Sequence, residues 1–291
     1  MPGAGNRLAL GTAQFGLDYG LNNRRGRIPE AETAEILACA AENGVDTLDT
    51  AEAYGDSETL LGRLGAGRSG FRLVSKLPPC TAAEAERHLK DSCRRLGVAA
   101  LDGYLVHSFE AYRADPKILE ALLELKSQGL VRKVGFSVYR PEELAAVLDR
   151  GEAFDLVQLP CSLLDRRFLP HLAGLKRLGI EIHARSVFLQ GLLLRDPSDL
   201  PPHVTPIRGV LKKWRMLADQ HGLPLAAICL GFVLAQEAID RVVIGVDGLS
   251  HLRQNLSHAG RLEQVRRLLP ELPSPSSEES NEQIILPSNW K

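Results

Sequence analysis

The chain has 291 residues, 44% of them hydrophobic and 24% charged, enough apolar material for one large core or two small ones. A formal net charge of -1, with Lys and Arg dispersed along the chain, leaves no stripe for nucleic acid and no polybasic patch for a membrane, and points to a small-molecule partner. No apolar run approaches the roughly 18 to 20 residues that cross a bilayer, and "MPGAGNRLALGTAQFG" lacks a signal-peptide core, so a cytoplasmic location is expected; five cysteines without a C-x-x-C pair argue against a disulfide framework or a zinc site.

In chain order, eight short runs read as strands: RLALGT (7–12), VDTLDT (45–50), FRLVSK (71–76), LDGYLVH (101–107), VRKVGFS (131–137), FDLVQLP (154–160), IEIHARS (180–186) and RVVIGV (241–246). Between them, segments 29–44, 81–97, 115–129, 140–151 and 163–179 carry apolar residues at helical spacing, and each ends in a glycine suited to a C-cap. Strands alternating with helices pair in parallel, and eight such units close into a barrel of about 250 residues. The expected fold is therefore α/β, a single-domain (β/α)8 TIM barrel. A doubly wound open sheet is the second reading, weakened because no G-x-G-x-x-G stands at a strand-to-helix turn.

Two stretches depart from the repeat. Residues 187–240 hold extra material that is expected to lie over the barrel mouth. The Pro-, Ser- and Glu-rich segment 270–291 reads as a flexible or loosely attached tail after a barrel domain over 1–269, although its last residues, "IILPSNWK", are apolar enough to dock back.

A barrel of this kind builds its active site at the C-terminal ends of the strands. Asp49 closes the second run, Tyr54 follows in the loop "AEAYGDSE", Lys76 closes the third run and His107 the fourth. Neighbouring strands lie about 4.8 Å apart, so these four side chains can converge within roughly 10 Å. Singly, three have an ordinary structural reading, a turn cap for Asp49, a loop anchor for Tyr54 and a satisfied core histidine for His107, while Lys76, a cation directly after a buried strand, needs a counter-charge. Together they form a device in which an Asp holds a Lys, and the Lys lowers a neighbouring phenol from its usual pKa of about 10.

The ordered set "DTAEAYGDSE", "LVSKL", "YLVHS", "VGFSVY", "VQLP" and "VVIGV…LRQNL" resembles the aldo-keto reductase superfamily from about Leu8 to Leu256. The resemblance implies the same barrel, aldehyde or ketone substrates, and a nicotinamide dinucleotide, usually NADPH, bound without a Rossmann domain. It maps the catalytic positions onto Asp49, Tyr54, Lys76 and His107 and implies reduction of a carbonyl by hydride, with Tyr54 as the acid that protonates the charged oxygen, Lys76 as the tuning cation, Asp49 as its counter-charge and His107 as the group that orients the carbonyl. It also implies that Gly11 and Thr12 lie beside the cofactor, that Ser137 and Gln158 hold the nicotinamide carboxamide, and that the Gln190–Gly191 turn approaches the pyrophosphate. Arg185 stands where the family has an aromatic residue stacked on the nicotinamide, and Val138 where many members have an asparagine. At the adenosine end the family places basic groups for a 2'-phosphate; this chain has Gly245, Asp247 and His251, with Gln254 and Asn255 matching the adenine contacts and the backbone near Gly248 and Leu249 offering a helix N-terminus. A carboxylate repels a 2'-phosphate and accepts a hydrogen bond from a free 2'-hydroxyl, so NADP(H) is the family default while Asp247 shifts the expectation toward NAD(H). The competing reading points Asp247 at solvent and gives the phosphate to Arg253.

The leading functional expectation is an NAD(P)H-dependent oxidoreductase acting on a small, sugar-like carbonyl or alcohol, since 5% aromatic content argues against a steroid clamp. A cofactor-binding regulatory or channel-associated subunit is the alternative, disfavoured by the intact tetrad. A metal-dependent barrel enzyme would need more His, Asp or Glu ligands than the strand ends offer.

Overall fold

A computed structural model describes residues 7–290. The eight runs form eight strands: β1 (Leu8–Gly11), β2 (Thr47–Asp49), β3 (Arg72–Leu77), β4 (Leu101–Val106), β5 (Val131–Ser137), β6 (Leu156–Pro160), β7 (Glu181–Arg185) and β8 (Arg241–Ile244). All pair in parallel in sequential order, and β1 closes the barrel against β8. The fold is the expected (β/α)8 barrel.

Helices cover the outside. Ala85–Leu96 shows how: Ala85, Leu89, Cys93 and Leu96 form one buried stripe, a capping box of Thr81 and Glu84 starts the turn before it, and Gly97 ends it in the left-handed region. Inside the barrel a small apolar cluster of Val74, Leu105 and Leu156 fills the middle, separate from the core between strands and helices. Polar side chains at the strand C-termini therefore rest on a packed floor.

Two stretches interrupt the repeat. Between β7 and β8, Leu189–Leu194 and Pro202–Ile207 form short 3-10 turns before the helices Arg208–Gln220 and Leu225–Leu234. The second helix is buried on nearly every side, which explains its unbroken run of apolar residues. The segment after residue 270 packs more firmly than its composition suggests. Ile284, Ile285 and Leu286 are buried, Trp214 donates from Nε1 to the Pro273 carbonyl at 2.9 Å, and Glu282 accepts hydrogen bonds from Arg140 and Arg167. Three apolar residues and one carboxylate gripped by two guanidiniums outweigh the polar bias of the stretch before them. Among the described residues no single helix is long and apolar enough to cross a membrane.

Candidate active site

The loop bearing Tyr54 is held by close backbone approach. Gly55 has φ +57°, and a Cβ on Gly16 would stand 1.8 Å from the Tyr54 carbonyl oxygen, so the short helix Ala13–Gly16 can press on this loop only with glycine at that point. Beneath it the Thr12 hydroxyl donates to the Asp49 carbonyl at 3.0 Å, and Ser57 Oγ lies 2.8 Å from Thr12 Oγ1 and 3.2 Å from Thr50 Oγ1. This sealed hydroxyl cluster ties the ends of β1 and β2 to the helix Ser57–Arg63, which follows Tyr54. Thr12 also lines the cavity at the strand ends, but its hydroxyl is already engaged.

The four candidate catalytic residues meet. Lys76 Nζ donates to Asp49 Oδ1 at 2.7 Å, to the Thr50 carbonyl at 2.8 Å and to Tyr54 OH at 3.5 Å. The side chains of the Lys76–Asp49 pair are only 1% and 4% exposed. His107 stands edge-on to Tyr54, their ring centroids 6.1 Å apart. Asp49 is doubly engaged, because its Oδ2 accepts from Gln158 Nε2 at 2.6 Å.

Protonation states differ from the expectation in one respect. Burial pushes the Tyr54 phenol above its ordinary value of 10.0; Lys76 pulls it down and Asp49 adds to the rise. The expected net lowering of Tyr54 is thus corrected: removing a phenolate from water costs more than the nearby ammonium returns. Lys76 lies above its ordinary 10.5, because although burial is the largest single effect and opposes the charge, Asp49 and Tyr54 together outweigh it. His107 is pushed down to about 3, mainly by burial and further by Lys76 and Arg185. The site holds a neutral phenol, an ammonium and a neutral imidazole, suited to proton donation.

From Tyr54 a cavity of about 290 Å³ runs past Gly11, Ser137 and Gln158 to Gly245, Asp247, His251, Gln254 and Asn255. Of the residues expected at the cofactor, all but Gly248 and Leu249 line it. Gln158 is committed on one side only: its amide nitrogen serves Asp49, while Oε1 is sealed from solvent without a hydrogen-bond partner. One face of the Arg185 guanidinium is already taken. Its Cζ lies 3.9 Å from the centroid of Tyr139, and Nη2 donates to the Val138 carbonyl at 3.0 Å. The Gln190–Gly191 turn is strained, with φ +64° at Ser186, +48° at Leu189 and +53° at Gln190. Hydrogen bonds from the loop after β1 hold it: Leu21 N to the Gln190 carbonyl at 3.0 Å, Asn22 Nδ2 to the Gly191 carbonyl at 2.8 Å, and Gln190 Nε2 to Tyr19 OH at 3.1 Å. These contacts strap two loops together across the cavity. The polar, glycine-bearing stretch "DYGLNNRRG" after the first strand was the signal for this loop, and the sequence reading did not use it.

The adenosine end also departs from expectation. Asp247 lines the cavity at 22% side-chain exposure, with Gln14 Nε2 3.5 Å from Oδ1 and His251 Nδ1 3.6 Å from Oδ2. Arg253 lines a different cavity, beside Glu35 and Glu42. The N-terminus of the helix Leu249–Ala259 is not fully open as expected, because the Leu249 N–H donates to Glu32 Oε1 at 3.1 Å. Arg25 completes the arrangement, donating to Glu32 Oε2 at 2.7 Å and to the Asp247 carbonyl at 3.2 Å. The hydrogen bonds from Arg25 and from the Leu249 N–H hold the Glu32 carboxyl below the usual carboxylate range. Neither residue was singled out from sequence.

Comparison with known proteins agrees with this architecture. The model of the aldo/keto reductase family matches residues 7–263. An uncharacterized oxidoreductase, YqkF, of Bacillus subtilis is 26% identical over 90% of this chain and 92% of its own. The L-galactose dehydrogenase of Arabidopsis thaliana is 25% identical over 82% of each chain. Among solved structures, the holo form of aldo-keto reductase AKR11C1 from Bacillus halodurans superposes with a TM-score of 0.71 at 23% identity, covering 94% of this chain and 89% of that one. A Klebsiella pneumoniae aldo/keto reductase in complex with NADP and acetate superposes with a TM-score of 0.68 at 22% identity, covering 93% and 92%. With a sequential eight-strand barrel, a cavity at its strand ends and a family match over most of its length, the chain belongs to the aldo/keto reductase family of oxidoreductases.

Proposed function

We propose that the chain is an NAD(P)H-dependent carbonyl reductase in which Tyr54 protonates the carbonyl oxygen. The observation that carries this reading is the Lys76 ammonium, anchored by Asp49 at 2.7 Å and reaching the Tyr54 hydroxyl at 3.5 Å in the cavity that also admits His107. When bound, the reduced nicotinamide supplies the hydride. Tyr54 gives its proton to the developing alkoxide, Lys76 stabilises the phenolate left behind, and His107, neutral, donates one hydrogen bond that orients the carbonyl. Asp49 holds Lys76 and limits the cost of burying its charge.

The residues fit a nicotinamide dinucleotide. Gln158 Oε1, buried without a partner, suits the N–H of a carboxamide, and Ser137 lies beside it across the β5–β6 pairing. At the other end, Asp247 facing the cavity and Glu32 on the helix N-terminus supply carboxylates where a 2'-phosphate would need cations, and Arg25 is already paired with Glu32. This supports binding of both dinucleotides with weak preference for NADPH, or with preference for NADH. The test is a panel of aldehydes, ketones and sugars followed by loss of reduced-nicotinamide absorbance with each dinucleotide. Turnover of several small carbonyls is expected; tight dinucleotide binding with no turnover would overturn the reductase reading in favour of a cofactor-binding regulatory subunit.

A further inference from the structure

Arg185, at the end of β7, is the one Lys or Arg lining the cavity among the described residues. Its polar partners are neutral: Nη2 donates to the Val138 carbonyl at 3.0 Å and Nη1 to the Ser186 hydroxyl at 3.2 Å. A guanidinium carries five N–H donors, so three are left without an acceptor among the described residues. Of the two carboxylates lining the cavity, Asp49 is neutralised by Lys76 at 2.7 Å, and Asp247 lies at the adenosine end beside Gln14 and His251. The reacting end of the cavity therefore carries an uncompensated positive charge. One face of that cation already lies against Tyr139, with Cζ 3.9 Å from the ring centroid, so what it has to offer is chiefly its edge. A guanidinium edge matches a planar carboxylate or a phosphate, and a half-buried cation without a counter-charge gains most from one. The stack on Tyr139 also fixes the long side chain in advance, which reduces the ordering cost of binding.

We propose that Arg185 anchors an anionic group of the substrate, so that the preferred substrates are aldehydes or ketones bearing a carboxylate or phosphate. This rests on the reductase reading and names the substrate class of the same site. The charge of Arg185 reaches the reacting groups, lowering the proton affinity of both Tyr54 and His107. The chemistry is otherwise unchanged: the carbonyl carbon gains hydride from reduced nicotinamide, which is oxidised, the oxygen gains the Tyr54 proton, and the anionic group is untouched.

The test compares matched pairs on the full chain: 4-carboxybenzaldehyde against methyl 4-formylbenzoate, succinic semialdehyde against butanal, and glyceraldehyde 3-phosphate against glyceraldehyde. For at least one pair, kcat/KM should favour the anionic member by about 10- to 100-fold, the range of a charge-assisted hydrogen bond, and this ratio should fall to about 1 in Arg185→Gln. The pair that shows the preference distinguishes a carboxylate substrate from a phosphate one. Arg185→Lys should keep more of a phosphate preference than of a carboxylate preference, because an ammonium lacks the planar fork. Equal rates for both members of every pair in the wild type would overturn the proposal. So would a parallel loss for both members in Arg185→Gln together with weaker NADPH binding, which would put the side chain on the dinucleotide. Calorimetric binding of succinate against succinamide reads the anchor without turnover: tighter succinate binding in the wild type and not in Arg185→Gln supports it, and equal binding overturns it whether or not carbonyls are reduced. Failure to reduce any carbonyl would instead overturn the reductase reading.

Discussion

Replacing Lys76 with methionine keeps an unbranched side chain as far as Cε and deletes the ammonium that serves three acceptors, Asp49 Oδ1, the Thr50 carbonyl and Tyr54 OH. The pair is 1% and 4% exposed, so water cannot replace the lost partner, and Asp49 is left with Gln158 Nε2 at 2.6 Å. Breaking a buried pair from one side costs about 3–5 kcal/mol. For a chain of 291 residues that corresponds to a fall of about 5 to 8 °C in Tm. The pH dependence is specific. In the wild type the folded-state pKa of Lys76 lies above 10.5, so its stabilisation is fully present below that value and is lost only as pH rises through the higher, folded one. Adding Asp49→Asn, neutral and nearly isosteric, should recover much of the loss at neutral pH, and the double-mutant cycle gives the coupling. Thermal unfolding followed by circular dichroism measures all three. An unchanged Tm in Lys76→Met, or no recovery on adding Asp49→Asn, would refute the reasoning.

Tyr54→Phe should lower turnover by about 100-fold or more with dinucleotide affinity nearly unchanged; near wild-type turnover would remove Tyr54 as the acid. Because burial holds the Tyr54 phenol above 10.0 and His107 at about 3, the rate of reduction should be flat between about pH 6 and pH 9, and a falling limb near neutrality would assign the proton to another group. Hydrogen exchange across residues 186–194 should slow on adding dinucleotide, and Asn22→Ala, which removes the 2.8 Å bond to the Gly191 carbonyl, should speed it in the free protein; identical exchange in all three states would remove the strap from the binding loop. Asp247→Arg should move selectivity toward NADPH by about 10-fold or more, and a wild-type preference for NADPH already above about 100-fold, roughly 2.7 kcal/mol, would exclude the reading of Asp247 as a repelling group.

What was legible in the sequence followed from local pattern. Each strand is a short apolar run bounded by helix starts and stops, and the parallel order follows from their alternation, so the barrel and the convergence of Asp49, Lys76 and His107 at adjacent strand ends could be derived without coordinates. What was not legible depends on partners distant in the chain. Glu32 meets the helix N-terminus at Leu249 across 217 positions, and Arg25 meets Asp247 across 222, pairs that no spacing rule connects. The phenol of Tyr54 was misjudged for a related reason. The sign of its shift depends on how completely the loop is sealed by Gly16, Thr12 and Ser57, and burial on that scale is a property of the closed fold.

Gln158 shows how the two halves of the site are joined. From sequence it reads as a carboxamide holder, and in the structure its nitrogen is committed to Asp49 Oδ2 while its oxygen is free. Because an amide has a donor end and an acceptor end, the bond to Asp49 determines which end is left over, and the unpartnered, buried end is the acceptor. Asp49 in turn is oriented by Lys76 on its other oxygen. The ammonium beside the Tyr54 hydroxyl and the acceptor that would suit a nicotinamide carboxamide thus hang from one carboxylate, so in the proposed reaction Asp49 would position both the proton donor and the cofactor.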